Sequence, residues 1–371
     1  MHASVARKPE ARLTTAAPPA FAGSFDLPTR QSGAFHLSPL TVSEFGEHAL
    51  IARITARLTR PAWVVVGPGD DAAVIEPERG SLDVLTTDAQ VEGVHFDRRF
   101  VPPDAIGHRA LAVNLSDLAA MGACPRAALL SLMLPGDFPM EAVDGILDGL
   151  LTLADRHRVT VVGGNVTRSP GPVIVDVTAI GAVRPRRVLT RAGARPGDEV
   201  YVTGQIGGAA VGLRQLQATV GGPSGVATDL QVCRYLRPEP RVRAGLLLGR
   251  NRVASACMDL SDGLADGLRQ VAAASGVGIA IDATALPVDE NVREYHQARG
   301  LDSVEGVLAG GDDYELIFTI RPAHRRRLRA VTRLMGDLPI TKVGTVTRDR
   351  RVVVRTPQGD RDLPAGFEHF R

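Results

Sequence analysis

Five short acidic segments combine carboxylates with glycine or hydroxyl side chains, a combination suited to binding a hard cation. The first and last, Gly69-Asp70-Asp71 and Gly311-Asp312-Asp313, each put paired carboxylates directly after glycine. The others are Thr86-Thr87-Asp88, Asn114-Leu115-Ser116-Asp117 and Asp259-Leu260-Ser261-Asp262. Mg²⁺ takes oxygen ligands and is usually held by one or two carboxylates together with substrate phosphates. The segments therefore predict one site for phosphate-bound Mg²⁺, provided that the fold brings them together.

Each segment also has an ordinary structural explanation, because aspartate and glycine are common turn formers. A single Gly-Asp-Asp is more often a turn than a metal site. Convergence of the segments would change this, since like charges at close range repel and raise one another's pKa. A cation would then be required to hold the carboxylates together. The aspartates concerned are Asp70, Asp71, Asp88, Asp117, Asp259, Asp262, Asp312 and Asp313.

The Asp259–Gly263 segment also predicts the start of a helix. Apolar residues at helical spacing follow it, beginning with Leu264 and Leu268, and Ser261 or Asp262 would cap the first turn. The free N–H groups at such a helix start can bind phosphate, although a plain capped helix explains the pattern equally well. The chain has no G-x-x-x-x-G-K-[ST] motif, which excludes a Walker-type nucleotide site.

Composition excludes several classes of protein. The net charge is +2, from 43 basic and 41 acidic residues, which gives no general attraction to nucleic acid or membrane. Aromatic residues make up only 4% of the chain, so base-stacking surfaces are not expected. No apolar run approaches the roughly 20 residues that span a bilayer. The three cysteines have no metal-binding spacing, which is typical of a reducing cytoplasm.

The order of elements predicts an α/β fold of the α+β, mixed-sheet kind rather than a Rossmann sheet, because strands and helices alternate with connections of variable length. Residues 1–40 are rich in Ala, Pro, Ser and Arg and are expected to form a disordered N-terminal tail. A basic stretch rich in Gly and Pro, 184–197, marks a domain boundary. The expected domains are an N-terminal α/β domain at 41–183 and a C-terminal α/β domain at 184–371.

Local signals place several elements around these motifs. Thr41 and Glu44 form a T-x-x-E capping box for a first helix that Pro61 would end. A second helix is expected over 105–121, with a glycine directly after it as the C-cap. Residues 163–170 read as a loop because they begin Gly-Gly-Asn and end in Pro, and residues 220–226 as a flexible Gly-rich loop.

Taken together, the motifs resemble those of the thiamine-monophosphate kinases, a family within the aminoimidazole ribonucleotide synthetase-like superfamily. The likeness runs from about Ser43 to Phe370 and rests on five segments in fixed order. These are Gly69-Asp70-Asp71-Ala72-Ala73, Thr87-Asp88 with Val91-Glu92-Gly93-Val94-His95-Phe96, Asn114 to Gly122, Asp259 to Gly263, and Gly311 to Leu316. The resemblance implies a two-domain fold whose N-terminal sheet pairs across a homodimer, with ATP and thiamine monophosphate as substrates and several Mg²⁺ ions.

The resemblance also implies roles for individual residues. None acts as a catalytic acid, base or nucleophile, because positioning and metal ions supply the catalysis. The implied Mg²⁺ ligands are Asp71, Thr86, Thr87, Asp88, Asp117, Asp259 and Asp262. The residues implied to contact ATP are Gly164, Asn165, Arg191 and Ser261. Those implied to contact thiamine monophosphate are His95, Asp312 and Phe367.

Two positions depart from the family pattern. Asn165 stands where the family usually has an aspartate, and Asp312 where it commonly has a glutamate. The expected activity is transfer of the ATP γ-phosphoryl group to thiamine monophosphate. Two alternatives stay open: a Mg²⁺-dependent phosphohydrolase, and a weakened paralogue that binds nucleotide or thiamine phosphate without turnover.

Overall fold

The computed structural model describes residues 40–218 and 229–366. The elements of the first half of the chain are α1 (Val42–Phe45), α2 (Glu47–Thr55), β1 (Val64–Val66), β2 (Val74–Ile75), β3 (Leu82–Val91), α3 (Pro103–Ala120), β4 (Cys124–Leu134), α4 (Met140–His157), β5 (Thr160–Arg168) and β6 (Ile174–Val183). Those of the second half are β7 (Glu199–Thr203), α5 (Gly208–Ala218), α6 (Leu230–Leu236), α7 (Val242–Arg250), β8 (Ala254–Asp259), α8 (Leu264–Ser275), β9 (Gly278–Asp282), α9 (Glu290–Gln297), α10 (Ser303–Ala309), β10 (Leu316–Ile320), α11 (Arg325–Leu334), β11 (Ile340–Thr347), β12 (Val352–Thr356) and β13 (Gly359–Asp362).

Two mixed sheets organise these elements. The first has four strands in the order β3-β6-β4-β5, of which β4 and β5 are parallel and the other pairs antiparallel. The second has seven strands in the order β13-β12-β9-β11-β7-β10-β8, with one parallel pair, β12 and β9. A small hairpin, β1-β2, is hydrogen-bonded to neither sheet. The predicted mixed-sheet α/β class is therefore confirmed.

The first helix begins as predicted but is shorter. Thr41 caps it, and the Glu44 carboxylate accepts the Thr41 N–H at 2.8 Å, which completes the capping box. Gly46 then adopts φ +85°, a conformation that glycine reaches at little cost, and ends the helix after one turn. The second helical segment stops at Thr55, well before Pro61.

The predicted loop at 163–170 is wrong, because β5 continues through it to Arg168 and pairs with β4 in parallel register. Gly164 allows β5 to approach β4 closely; it does not form a turn. A Cβ on Gly164 would lie 1.8 Å from the carbonyl oxygen of Leu130, so the two strands could not meet with a larger residue. The prediction of a helix over 105–121 is confirmed, and Gly122 follows it at φ +67°.

Several predictions lie outside the described residues: the tail, except for Leu40, the loop at 220–226, and Phe367. The boundary near residue 184 stays a prediction. Among the described residues, no helix combines the length and the apolar character needed to cross a membrane.

Glycines let the helices beneath the first sheet pack backbone to backbone. The α3 and α4 helices cover one face of that sheet, where Val175, Val177 and Ala179 of β6 are fully buried. A Cβ on Gly107 of α3 would lie 1.8 Å from the carbonyl oxygen of Ile146 of α4. This contact fixes α3, and therefore the carboxylate that its last turn carries.

We expect Gly107→Ala to lower the free energy of unfolding by about 2 kcal/mol, because overpacking outweighs the helix propensity gained by removing glycine. Urea unfolding followed by circular dichroism measures this. The matched control is Gly171→Ala, where an added Cβ meets no atom within 4 Å. Equal stability of the two variants would show that the helices can separate at no cost.

Candidate active site

A cavity of about 960 Å³ collects residues from four of the five acidic segments. Its walls come from β3, the loop after it, α3, α5 and the turns that precede α8 and β10. The sequence-predicted site residues that line it are His95, Asp88, Asp117, Arg191, Asp259, Ser261, Asp262 and Asp312. Residues far apart in the chain thus meet at one opening.

Asp88, Asp117 and Asp259 form an acidic cluster at the wall of this cavity. Asp88 belongs to β3, Asp117 to the last turn of α3, and Asp259 to the end of β8. Hydroxyl groups orient two of them. Ser116 donates from Oγ to Asp259 at 2.7 Å, and Thr86 donates a short hydrogen bond to Asp117.

The acidic cluster is electrostatically strained. Burial raises the pKa of Asp88 above its ordinary value, and the charges of Asp117 and Asp259 raise it further. Burial likewise raises the pKa of Asp259, with a further contribution from Asp117, while the Ser116 hydrogen bond and the Arg191 charge oppose the rise. Asp88 and Asp117 are close enough to share a hydrogen bond between their carboxyl groups. The cluster would be relieved by a proton or by a cation.

The donor chemistry of the cluster fits Mg²⁺. The acidic cluster and the hydroxyl groups bonded to it present carboxylate and hydroxyl oxygens, which are the hard ligands that Mg²⁺ prefers. Across residues 40–218 and 229–366, no three His, Cys, Asp or Glu side chains form a ready-made metal cage. Mg²⁺ usually keeps several waters and completes its shell with substrate phosphates, so the protein would supply only some of its ligands.

The turn before α8 differs from the prediction. The N-cap residue is Gly263, at φ +93°, rather than Ser261 or Asp262, so the cap makes no side-chain hydrogen bond. The Ser261 and Asp262 side chains line the cavity instead. The Ser261 carbonyl accepts the Asp312 N–H at 2.7 Å, which joins this turn to the one before β10.

The remaining predicted ligands lie at a second cavity, of about 490 Å³, which Asp71, Gly164 and Asn165 line. Thr87 points the same way, since its hydroxyl contacts Asp176 at 3.1 Å and Thr178 at 2.9 Å, and both line this cavity. Successive side chains on a strand point to opposite faces, so β3 directs Thr86 and Asp88 to one face and Thr87 to the other. The predicted ligand set is therefore divided between two cavities.

The larger cavity also holds residues that sequence reasoning missed. Arg109 of α3 ion-pairs with Asp312 at 3.2 Å, and the Tyr314 hydroxyl donates to the same carboxylate oxygen at 3.0 Å. The Tyr235 hydroxyl donates to the His95 carbonyl at 3.1 Å. The sequence signal that could have identified Arg109 is the presence of an arginine among the apolar residues of α3.

Comparisons with known proteins match this arrangement. The family model of AIR synthase related protein, N-terminal domain, matches residues 69–183, and that of the C-terminal domain matches 195–356. A thiamine-monophosphate kinase of Bacillus subtilis (strain 168) is 36% identical over 329 residues, covering 88% of this chain and 99% of the relative. The chain belongs to the thiamine-monophosphate kinase family. The predicted two-domain superfamily fold is thereby confirmed.

Solved structures of the thiamine-monophosphate kinase family agree. The enzyme from Stenotrophomonas maltophilia K279a is 38% identical with a TM-score of 0.73, covering 82% of this chain and 95% of its own. A complex of AaThiL with AMPPCP and TMP is 32% identical with a TM-score of 0.70, covering 89% and 98%. The family likeness therefore extends over both halves of the described structure.

Because the acidic cluster is crowded, we expect Asp88→Asn to keep or raise the melting temperature of the metal-free protein by about 1 to 3 °C, since it removes one of the clustered charges. The same variant should lose most of the stabilisation that millimolar Mg²⁺ gives the wild type. Thermal melts with and without MgCl₂ measure both. Asp360→Asn, which alters an exposed carboxylate on β13, should behave as wild type. An unchanged Mg²⁺ response in Asp88→Asn would contradict a metal role.

Proposed function

We propose that this protein transfers the γ-phosphoryl group of ATP to the phosphate of thiamine monophosphate, giving thiamine diphosphate. One observation carries the proposal. A single cavity presents the acidic cluster and Arg191 beside Asp312 and His95, so that a phosphate-binding end adjoins an end for the acceptor. The solved complex of a family member with AMPPCP and TMP supports the same pairing of ligands.

The acceptor requires little activation by the protein. The second pKa of a phosphate monoester is about 6, so the attacking oxygen is largely ionised at neutral pH and needs no general base. The two reactants are both anionic, and their approach is the main barrier. Bound Mg²⁺ would neutralise the phosphate oxygens. The residues proposed to hold it are Asp71, Thr86, Thr87, Asp88, Asp117, Asp259 and Asp262.

The other side chains would orient the two substrates. Arg191 and Ser261 are proposed to contact ATP, together with Gly164 and Asn165 at the second cavity. Asn165 is a neutral ligand where the family usually has a carboxylate, and its amide lies 3.5 Å from the Ser131 hydroxyl. His95 and Asp312 are proposed to contact thiamine monophosphate, as is Phe367, which lies outside the described residues. The setting proposed is the cytoplasm, in keeping with the free thiols of the three cysteines.

We expect the wild type to form ADP from ATP only when both Mg²⁺ and thiamine monophosphate are present. Asp262→Ala should lower kcat by about 100-fold or more with an unchanged circular dichroism spectrum, because it removes a proposed ligand of the Mg²⁺ that neutralises the phosphates. A coupled ADP assay measures both. Asp360→Ala, an exposed carboxylate on β13, is the matched control and should keep wild-type kcat.

Other outcomes would identify the alternatives. Phosphate release without a phosphorylated acceptor would indicate a phosphohydrolase. Calorimetric binding of thiamine monophosphate or ATP without any ADP formation would indicate a weakened paralogue. Either result would end the proposal of a kinase.

We further propose that the protein is a homodimer formed through the open face of the four-stranded sheet. On that face Leu85 is 67% exposed, unusually high for a leucine in a strand, and it neighbours Thr87 at the second cavity. Val65 and Val74 are each 49% exposed nearby in the hairpin. Burial of these side chains would supply an apolar interface, and it would place the second cavity beside the partner subunit.

We expect the wild type to elute with about twice the 39.3 kDa mass of one chain, and Leu85→Arg to elute as a single chain, because a charge would be buried in the apolar contact. Size-exclusion chromatography with light scattering measures this. Leu301→Arg, which alters a leucine that is 48% exposed away from the sheet, should stay dimeric. A dimer that survives Leu85→Arg would place the interface elsewhere.

A further inference from the structure

Arg109 is an exceptional residue in α3. Its side chain is only 1% exposed, although a charged group is rarely buried to this extent unless it is paired. Apolar residues lie around it on the helix, among them Ala105, Ile106, Ala110 and Leu111, all buried. Such a charge is expensive to bury, so its contacts should explain why an arginine stands here.

The contacts of Arg109 lead to the acceptor end of the cavity. One terminal nitrogen donates to Asp312 Oδ1 at 3.2 Å, and the other donates a short hydrogen bond to the Tyr235 carbonyl. The guanidinium centre lies 4.4 Å from the centroid of the Tyr235 ring, within the range of a cation–π contact. Its Nε is buried and has no hydrogen-bond partner among the described residues. Asp312 is therefore the one carboxylate that pairs with Arg109 within the described structure.

Asp312 is held in an unusual conformation. It adopts φ +67° and Tyr314 adopts φ +50°, a left-handed region that costs a non-glycine residue roughly 1 kcal/mol or more. Backbone hydrogen bonds from both residues to the Leu260–Ser261 turn fix this conformation. Both side-chain hydrogen bonds to the carboxylate, from Arg109 and from the Tyr314 hydroxyl, end on Oδ1. Within the described residues Oδ2 accepts none, and the side chain is 31% exposed at the cavity.

We propose that Arg109 is a positioning residue for recognition of the acceptor: it anchors Oδ1 of Asp312 so that Oδ2 meets the acceptor. The inference rests on the proposed function, in which the acceptor is thiamine monophosphate. A carboxylate oxygen suits that acceptor, which carries a thiazolium cation and an amino group. Lysine could not replace arginine fully, because a point charge cannot pair with Asp312, bond to the Tyr235 carbonyl and stack on its ring together.

A purely structural role makes a different prediction. If Arg109 only tied α3 to α6, its loss would lower stability and would affect the two substrates alike. A positioning role acts through Asp312, so it should change the KM for the acceptor and leave the KM for ATP. The effect of losing Arg109 on the acceptor KM should also disappear in a variant whose Asp312 has already lost its charge.

The test compares Arg109→Met, Arg109→Lys, Asp312→Asn and the double variant Arg109→Met/Asp312→Asn. We expect Arg109→Met to raise the KM for thiamine monophosphate by about tenfold or more and to change the KM for ATP by less than about twofold. Arg109→Lys should recover part of the loss. The double variant should be no worse than Asp312→Asn alone, since both changes remove one interaction. Arg156→Met, an exposed arginine on α4 that pairs with Glu239, is the control.

Three results would overturn the inference: an unchanged KM for thiamine monophosphate in Arg109→Met, equal changes for both substrates, or effects that multiply in the double variant. If Arg109→Met does not fold, Arg109→Lys provides the test instead. It keeps the positive charge, and it should still raise the KM for thiamine monophosphate by about threefold or more. A wild type that makes no ADP with thiamine monophosphate would refute the proposed function itself, before any variant is compared.

Discussion

Repulsion between closely spaced carboxylates is the constraint around which the candidate site is built. Asp88, Asp117 and Asp259 come from three separate elements and crowd together, although the charge of Asp117 raises the pKa of both Asp88 and Asp259. Nothing in folding stability favours such a cluster. It persists because β3, α3 and β8 are fixed by contacts elsewhere, above all by the glycine contacts that press α3 against α4. A bound cation would relieve this repulsion. The cluster is therefore suited to bind a metal ion together with a polyphosphate.

The pleat of one strand distributes the acidic chemistry between two places. Thr86 and Asp88 point toward α3, whereas Thr87 points to the opposite face and contacts Asp176. The two faces are nevertheless coupled, because the charge of Asp176 contributes to the raised pKa of Asp88 through the sheet. A sheet one strand thick separates side chains sterically but screens their charges poorly. Neutralising Asp176 would therefore ease the ionisation of Asp88.

The sequence predicts local features well and long-range ones less well. The Thr41 capping box and the Gly122 helix end follow from short-range hydrogen bonding and backbone freedom, and both are present. The strand through Gly164 could not be predicted, because glycine signals a turn and a close strand contact in the same way. Arg109 was missed for a related reason: its partner is 203 positions away in sequence, and no local pattern reports such a distance. The motifs predicted one site for all the acidic segments, whereas Asp88, Asp117, Asp259 and Asp262 line one cavity and Asp71 lies at another.

The two turns at the cavity behave as one body, and this links its two ends. A Cβ on Gly311 would lie 2.6 Å from the Ser261 carbonyl oxygen, and one on Gly263 would lie 2.7 Å from that of Gly310. Backbones this close leave no room for one turn to move without the other. The Asp312 N–H, bonded to Ser261, adds a direct tie. Binding of a ligand near the acidic cluster should therefore affect the acceptor end through the backbone contact between the turns. A shift of either turn would change the position of the two reactants relative to each other. Phosphoryl transfer, which depends on in-line alignment more than on any acid or base, is the chemistry that benefits most from such a connection.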